Sequence, residues 1–445
     1  MNVRISILVL LTVAVVLCAA LAASAEEPRH EMRFGINGGI YPTGAVGPDA
    51  FRAIHRRLDE LGMVWLRHPG RGSSWAEVEP EKGKWDWSRL DGALLENRHP
   101  WLFEVWGQVG TAYPFKGDFS RRHLAGLARD GGRKAVMDYI KAHQVDLSDA
   151  AQRADAEHYV KTFVRRYRDR VRYWEIGNEG ISSPDRFEIV KCTYQWVKEV
   201  HPEARVVVTA PAGDDDTTYR KGLHTFDRLM ARGMGRYFDI GNVHYYGRAG
   251  DDLDARLEKR YDEYKAILDR HAAAKPIWVT ETSTSSDPRS LLSGVSSEQT
   301  QARHVVQRAV VLFGRGAEKV FWHDYRATYA DNKFYQCNLV DPKTGKPKPA
   351  CYTFKLLVSK LGSFRSVRRI TAGTSRVYRF VNPDGSCVFV AWGRAATTID
   401  LRGHVATPKV MLTHIVEDGG SLPERETADA GRIPISPSPL FVEER

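Results

Sequence analysis

"RYWEIGNEG", Arg172 to Gly180, sets an apolar, aromatic-rich run directly against Asn178, Glu179 and two glycines. The apolar half reads as a buried strand, and the polar half sits where that strand must end. An ordinary turn would account for the pattern. So would a strand whose task is to hold a carboxylate at the floor of a pocket. The rest of the chain decides between them.

Outward from this stretch, short apolar runs alternate with longer amphipathic ones. "MRFGING" (Met32 to Gly38) reads as a first strand, with a helix over Asp49 to Leu61. "MVWLRHP" and "SRLDGALLENR" give the second pair, and "WLFEVWG" the third strand. A long polar stretch, Gly107 to Ala150, separates it from a helix over Ala154 to Tyr167. "RYWEIGN" is the fourth strand, with a helix over Asp185 to Val200. "ARVVVTAP" and "GLHTFDRLMARG" follow as the fifth pair. "FDIGNVHYY" leads into a charged helix over Asp254 to Ala272. "PIWVTET" precedes a helix over Ser297 to Gly314, and "KVFWHDY" precedes "CYTFKLLVSKLG".

Near-continuous apolar strands followed by helices indicate a parallel sheet covered on both faces. The eight strand–helix units between Arg33 and Gly362 fit a closed (β/α)8 TIM barrel. An open doubly wound sheet is the alternative. It calls for a Gly-rich phosphate loop opening a helix, and "FGINGGIYP" is not followed by one in that way. From about Ser363 the texture becomes all-β: "SRVYRFVNPDGSCVFVAWG" is a hairpin turning at Pro383-Asp384-Gly385. The expected organisation is a signal peptide over 1–25, a catalytic barrel over 26–362 and a β-sandwich over 363–445.

The signal peptide rests on Arg4, the apolar run Ile5 to Leu17, and the small-x-small "ASA" at Ala23 to Ala25. An uncleaved anchor is the competing reading. Cleavage gives a secreted or periplasmic protein with no stable membrane insertion. It also removes Cys18, leaving Cys192, Cys337, Cys351 and Cys387, of which Cys337 and Cys351 are the expected disulfide pair. The cysteine and histidine spacings match no metal site, and no cofactor is called for. Of the 65 basic residues only Arg4 leaves with the signal, so 64 face 55 acidic ones, a balance of +9. That excess suits an acidic polymer as partner. Its scattered basic residues and lack of a binding motif argue against nucleic acid. The oligomeric state is not legible.

A barrel places functional side chains at the C-terminal ends of its strands. Glu179 closes strand four, and Glu281 closes strand seven in "PIWVTETSTSSD". These strands lie on roughly opposite sides of the ring, so both carboxylates can point into one cleft. Glycoside hydrolysis uses such a pair, one to protonate the leaving oxygen and one to attack or activate water at the sugar carbon. Glu175, mid-strand, reads as part of an internal ion pair, and Glu104 as a residue that could line the barrel. Trp75, Trp106 and Trp322, near the ends of strands two, three and eight, are candidates for stacking on sugar rings. Core packing is the other reading for each. Residues 107–150 exceed ordinary loop length and could wall the cleft.

"WEIGNEG", "NVHYYG" and "WVTET" together resemble the clan A retaining glycoside hydrolases. The segment "SSWAEVEPEKGKWDWSRLD" and the trailing β-domain look most like family 39, which includes β-xylosidases, α-iduronidases and enzymes acting on bacterial exopolysaccharides. Families 5, 30 and 42 share much of the pattern. The resemblance implies Glu179 as acid/base, Glu281 as nucleophile, and Asn178 as a partner of the sugar 2-hydroxyl. It also implies that Tyr246, in His244-x-Tyr246, lies near the nucleophile, and that Arg67 sits beside it. His68 is a weaker candidate. A poly- or oligosaccharide is the implied substrate. A non-hydrolytic glycan-binding protein and a transglycosylase are the rival readings.

Overall fold

The computed structural model describes residues 32–39, 48–62, 64–68, 74–94, 98–106, 111–179, 186–212, 216–247, 250, 252–271, 273–287, 296–326, 336–370 and 375–444. Eight parallel strands are hydrogen-bonded in the order β5-β4-β3-β2-β1-β8-β7-β6. They are β1 (Phe34–Asn37), β2 (Trp65–His68), β3 (Trp101–Glu104), β4 (Tyr173–Glu175), β5 (Arg205–Val207), β6 (Gly241–His244), β7 (Ile277–Thr282) and β8 (Lys319–His323). A bridge between Val207 and Ile240 joins the two ends, which makes this a TIM barrel. The expected signal peptide, residues 1–25, lies outside the described residues. Among the described helices none is long and apolar enough to cross a membrane.

Strand alternation sorts the side chains into two sets. Leu66, Phe103, Trp174, Val206, Val243, Val279 and Val320 point outward and join the main core beneath the surrounding helices. Trp65, Leu102, Val207, Ile240, Trp278 and Phe321 point inward and plug the lower end of the barrel. Gly35 of β1 is required there, because a Cβ on it would lie 2.2 Å from the Phe321 ring. One layer higher the interior becomes polar: Asn37, Arg67, Glu104, Glu175, Asn242 and Thr280 are all buried. An apolar plug below and a charged layer above give the barrel one chemically active mouth.

Most of the expected helices form within a few residues of their expected limits. The polar stretch after β3 reads in the sequence as connection, yet it contains a helix, Arg121–Ala142. Ser120 caps its start by accepting from the His123 amide, and Gly132 interrupts it at φ 66°. Phe119 and Ile140 pack there with Ala112 in a small core of their own.

After β8, helix Pro349–Leu361 leads into antiparallel strands. Six form one sheet: β9 (Ser366–Arg369), β10 (Arg376–Val381), β11 (Cys387–Trp392), β13 (Lys409–His414), β14 (Arg425–Asp429) and β16 (Leu440–Glu444). The pair β12 (Thr397–Ile399) and β15 (Ile433–Ile435) covers it, giving the sandwich core of Val377, Phe389, Leu412 and Ile433. Phe364 wedges between Phe313 of the barrel and Phe380 of β10, at centroid distances of 5.0 and 4.9 Å.

The expected disulfide is absent. Cys337 and Cys351 are both free and buried. Cys337 lies near Ser283 and Asp324, whereas Cys351, on helix Pro349–Leu361, senses Glu60. The two thiols have different charged neighbours, and burial pushes each up to about 12.

Candidate active site

Strand β4 delivers its residues by simple parity. Trp174 faces the helices, Glu175 faces the interior, and Gly177 then turns the chain at φ +67°, a conformation only glycine adopts freely. Beyond the turn, Thr209 donates to the Asn178 carbonyl and Glu179 bridges to Ala210, so the segment stays attached to β5. Asn178 and Glu179 therefore stand on the rim of the mouth.

Strand β7 delivers its residue by breaking parity. Trp278 and Thr280 point inward, so plain alternation would send Glu281 outward. Instead, two residues of β7, Val279 and Thr280, oppose the single Val243 of β6 between the pairs Asn242–Trp278 and His244–Glu281. The same excess appears against β8 between Val279–Val320 and Thr282–Trp322. This bulge turns Glu281 into the barrel directly after Thr280. Arg308, from helix Glu298–Gly314, fixes the backbone beyond it by donating to Thr282 Oγ1 at 3.1 Å and Thr284 Oγ1 at 2.9 Å.

Arg67 organises the polar layer. Its Nε and Nη2 donate to Glu175 at 2.6 and 3.0 Å, its Nη1 to Glu281 Oε1 at 2.6 Å, and its Nη2 also to Asn178 Oδ1 at 2.7 Å. The other oxygen of Glu281 accepts from the Tyr246 hydroxyl. Burial by itself raises the proton affinity of Glu281. His244, Arg67 and His323, with the Tyr246 hydrogen bond, outweigh it and hold Glu281 well below the usual carboxylate range. Glu104 shows the reverse. Burial, reinforced by Glu175 and Glu281, outweighs Arg67 and the Asn178 amide, so its carboxyl is pushed well above the usual carboxylate range. The interior thus places Arg67 between two carboxylates and favours the neutral form of the third acid.

Glu179, Glu281 and His244 converge: one ligand atom from each lies within 4.8 Å of the others. His244 Nδ1 is 3.1 Å from Glu179 Oε1 and 3.7 Å from Glu281 Oε1. The Glu179 side chain is 42 % exposed and that of Glu281 8 %. One acid can exchange protons with solvent, and the other is a buried, charge-stabilised anion. A proton donor facing a fixed carboxylate can cleave an acetal.

Of the sequence candidates, Glu179, Glu281, Asn178, His244, Tyr246 and Arg67 meet at this mouth. The tryptophans do not. Trp322 points outward from β8 and its indole donates to the Cys337 carbonyl at 2.9 Å. Trp106 is fully buried and donates to Thr193 Oγ1 at 3.0 Å, and Trp75 stacks on Tyr159 at 4.9 Å. All three are core packing. The side chain of His68 lies outside the described residues. The inward residue closing β8 is His323, which contacts Asn37 at 3.2 Å and stands edge-on to Tyr246. Counting by twos from Phe321 would have found it.

A family model described as "Glycosyl hydrolase catalytic core" matches residues 191–347, a span that contains Glu281, His244 and Tyr246. No curated protein matches the sequence significantly. Among solved structures, a family 39 glycoside hydrolase from Bacteroides cellulosilyticus WH2 is similar over 93% of this chain and 81% of its own, with 16% identity and a TM-score of 0.61. A glucosidase from Croceicoccus marinus is similar over 93% and 95%, with 12% identity and a TM-score of 0.58. An α-L-arabinofuranosidase from Thermotoga maritima is similar over 92% and 95%, with 14% identity and a TM-score of 0.57. At these identities the shared property is the fold. The family model is in keeping with the resemblance read from the sequence: residues 191–347 are similar to a glycosyl hydrolase catalytic core.

Proposed function

We propose that this protein is an exported retaining glycosidase working by double displacement on a poly- or oligosaccharide. The observation that carries this reading is the spacing of its two acids. One oxygen of Glu179 and one of Glu281 lie within 4.8 Å of each other, which favours the roughly 5–5.5 Å carboxyl separation of retaining enzymes over the about 6.5–9.5 Å of inverting ones.

In the first step Glu281 attacks the anomeric carbon as the glycosidic C–O bond breaks, and the Glu179 proton passes to the leaving oxygen. In the second, Glu179 takes a proton from water, whose oxygen displaces Glu281 from the anomeric carbon. Arg67 and Tyr246 keep Glu281 anionic until attack. With its oxygen engaged by Arg67, Asn178 has its NH2 to offer the sugar 2-hydroxyl. Export rests on the segment 1–25, and a mature N-terminus at Glu26 by intact mass would support it. The basic balance favours an acidic glycan, which a salt-dependent preference for uronate-bearing substrates would test.

The reading is tested on a panel of aryl glycosides with Glu179→Gln and Glu281→Gln, each of which should nearly abolish turnover. Azide should rescue Glu281→Gly with a glycosyl azide of inverted configuration. Full turnover by both Gln variants would end the proposal, and binding without cleavage by the wild type would favour a glycan-binding role.

A further inference from the structure

A buried chain of hydrogen bonds runs from Glu175 to Glu179 across three strands, and its direction can be worked out atom by atom. Glu175 is anchored at both oxygens by Arg67. A carboxylate accepts only, so Asn242, 2.7 Å from Glu175 Oε1, must present its NH2 there. Its Oδ1 then faces Thr280 Oγ1 at 2.8 Å and the Thr280 amide at 3.4 Å. An amide oxygen also only accepts, so the single hydroxyl hydrogen of Thr280 is committed to Asn242. What Thr280 turns toward His244 Nε2, 2.8 Å away, is therefore a lone pair. Nε2 must carry hydrogen.

A neutral His244 consequently has a bare Nδ1, and that atom faces Glu179 Oε1 at 3.1 Å and Glu281 Oε1 at 3.7 Å. A lone pair against an ionised carboxylate is repulsive, so the short contact to Glu179 requires one proton between the two atoms. We infer that Asn242 and Thr280 are positioning residues that lock His244 in its Nε2–H tautomer, so that Nδ1 shares the catalytic proton with Glu179. This rests on the reading of Glu179 as acid/base and deepens it.

The lock serves both half-reactions. Before cleavage the Glu179 proton has an acceptor that orients it without neutralising it permanently. After the proton has left with the aglycone, the Glu179 carboxylate faces a lone pair and is made a stronger base toward the attacking water. The opposite tautomer would place N–H against Glu179 and stabilise its anion, so that less of it carries the proton at neutral pH and its carboxylate is a weaker base. The groups facing His244 are Glu179 and Glu281 directly, Arg67, Tyr246 and His323 through Glu281, and Glu175 through Asn242. None of these supplies an alternative acceptor for Nε2, which points to Thr280.

The test pairs a spectroscopic readout with kinetics. In wild-type protein labelled with 15N-histidine, long-range 1H–15N spectra should place His244 in the Nε2–H form, the signal being assigned by its loss in His244→Asn. Thr280→Val, which keeps the shape but removes the acceptor, should move the signal to the Nδ1–H form. Its kcat/KM should fall about 10- to 100-fold for alkyl or unactivated aryl leaving groups and little for dinitrophenyl glycosides, which need no acid. The alkaline limb of its pH profile should move about one unit acidward. Thr280→Ser, which keeps the hydroxyl, should keep the tautomer and that limb. An Nδ1–H form in the wild type overturns the inference whatever the Thr280 variants do. So does a Thr280→Val enzyme with an unmoved limb and a loss independent of leaving group. Absence of any glycoside turnover by the wild type would refute the proposed function, while the His244 spectrum would still decide whether the tautomer lock exists.

Discussion

Replacing Arg67 with Met removes a guanidinium that contacts both Glu175 and Glu281, each at 2.6 Å and each nearly or wholly buried. The side chain is similar in length and apolar, so the volume is nearly kept while the charge is lost. Breaking a buried ion pair by deleting one partner costs about 3–5 kcal/mol, because the other charge is left uncompensated. Here two charges are left. One response is protonation of Glu281. A unit charge about 4 Å away at an effective dielectric of about 20 is worth roughly 4 kcal/mol, which corresponds to about three pK units at 1.36 kcal/mol each. His244, His323 and Tyr246 remain, so the acidic limb of kcat/KM should rise by about one to three units. Urea unfolding at pH 7 should show a loss of about 3–5 kcal/mol. Arg67→Lys keeps the charge but cannot span both carboxylates, and should fall between. If Arg67→Met unfolds within about 1 kcal/mol of wild type and titrates with the same acidic limb, the electrostatic account of the barrel interior is wrong.

Tyr246→Phe removes the hydroxyl donated to Glu281 Oε2. A hydrogen bond to a charged group is worth about 1.5–3 kcal/mol, so the acidic limb should rise by about one to two units, read from initial rates between pH 3 and 8. Glu104→Gln tests the neutral buried acid. Its folded proton affinity is raised, so the folded state binds more protons than the unfolded one above pH 4.5, and this contribution to stability shrinks as pH rises. The variant should therefore gain on wild type steadily from about pH 5 to 8 in thermal melts; a difference constant with pH would refute it. Glu281 works with the opposite sign: its folded value is depressed below 4.5, so its stabilisation is present above that pH and lost on acidification. On acidification below pH 4.5, Glu281→Gln should lose less stability than wild type.

How much of this was legible depended on what each residue had to satisfy. The strands were readable because burial on both faces demands apolar runs, and "RYWEIGNEG" marked its own end with Gly177. The acid pair was readable because chemistry at strand ends leaves polar residues where apolar ones would otherwise sit. Parity was available too, and it would have assigned Trp322 outward and His323 inward. It also would have paired Asn242 with His244 on one face. At Glu281 parity misleads, since the bulge that re-aims it leaves no mark in "PIWVTET". The motif, not the alternation, located that residue. Helix Arg121–Ala142 was hidden because Gly126, Gly131 and Gly132 interrupt its periodicity. Closeness along the chain suggests a Cys337–Cys351 pair, but it does not report where each thiol points, and both are free and buried.

The stereochemistry of hydrolysis bears most directly on the claim that Glu179 and Glu281 face each other across one sugar ring. Proton NMR of the first-formed product, recorded on an active aryl glycoside before mutarotation, should show the anomer with the configuration of the substrate. A first-formed product of inverted configuration would contradict the account.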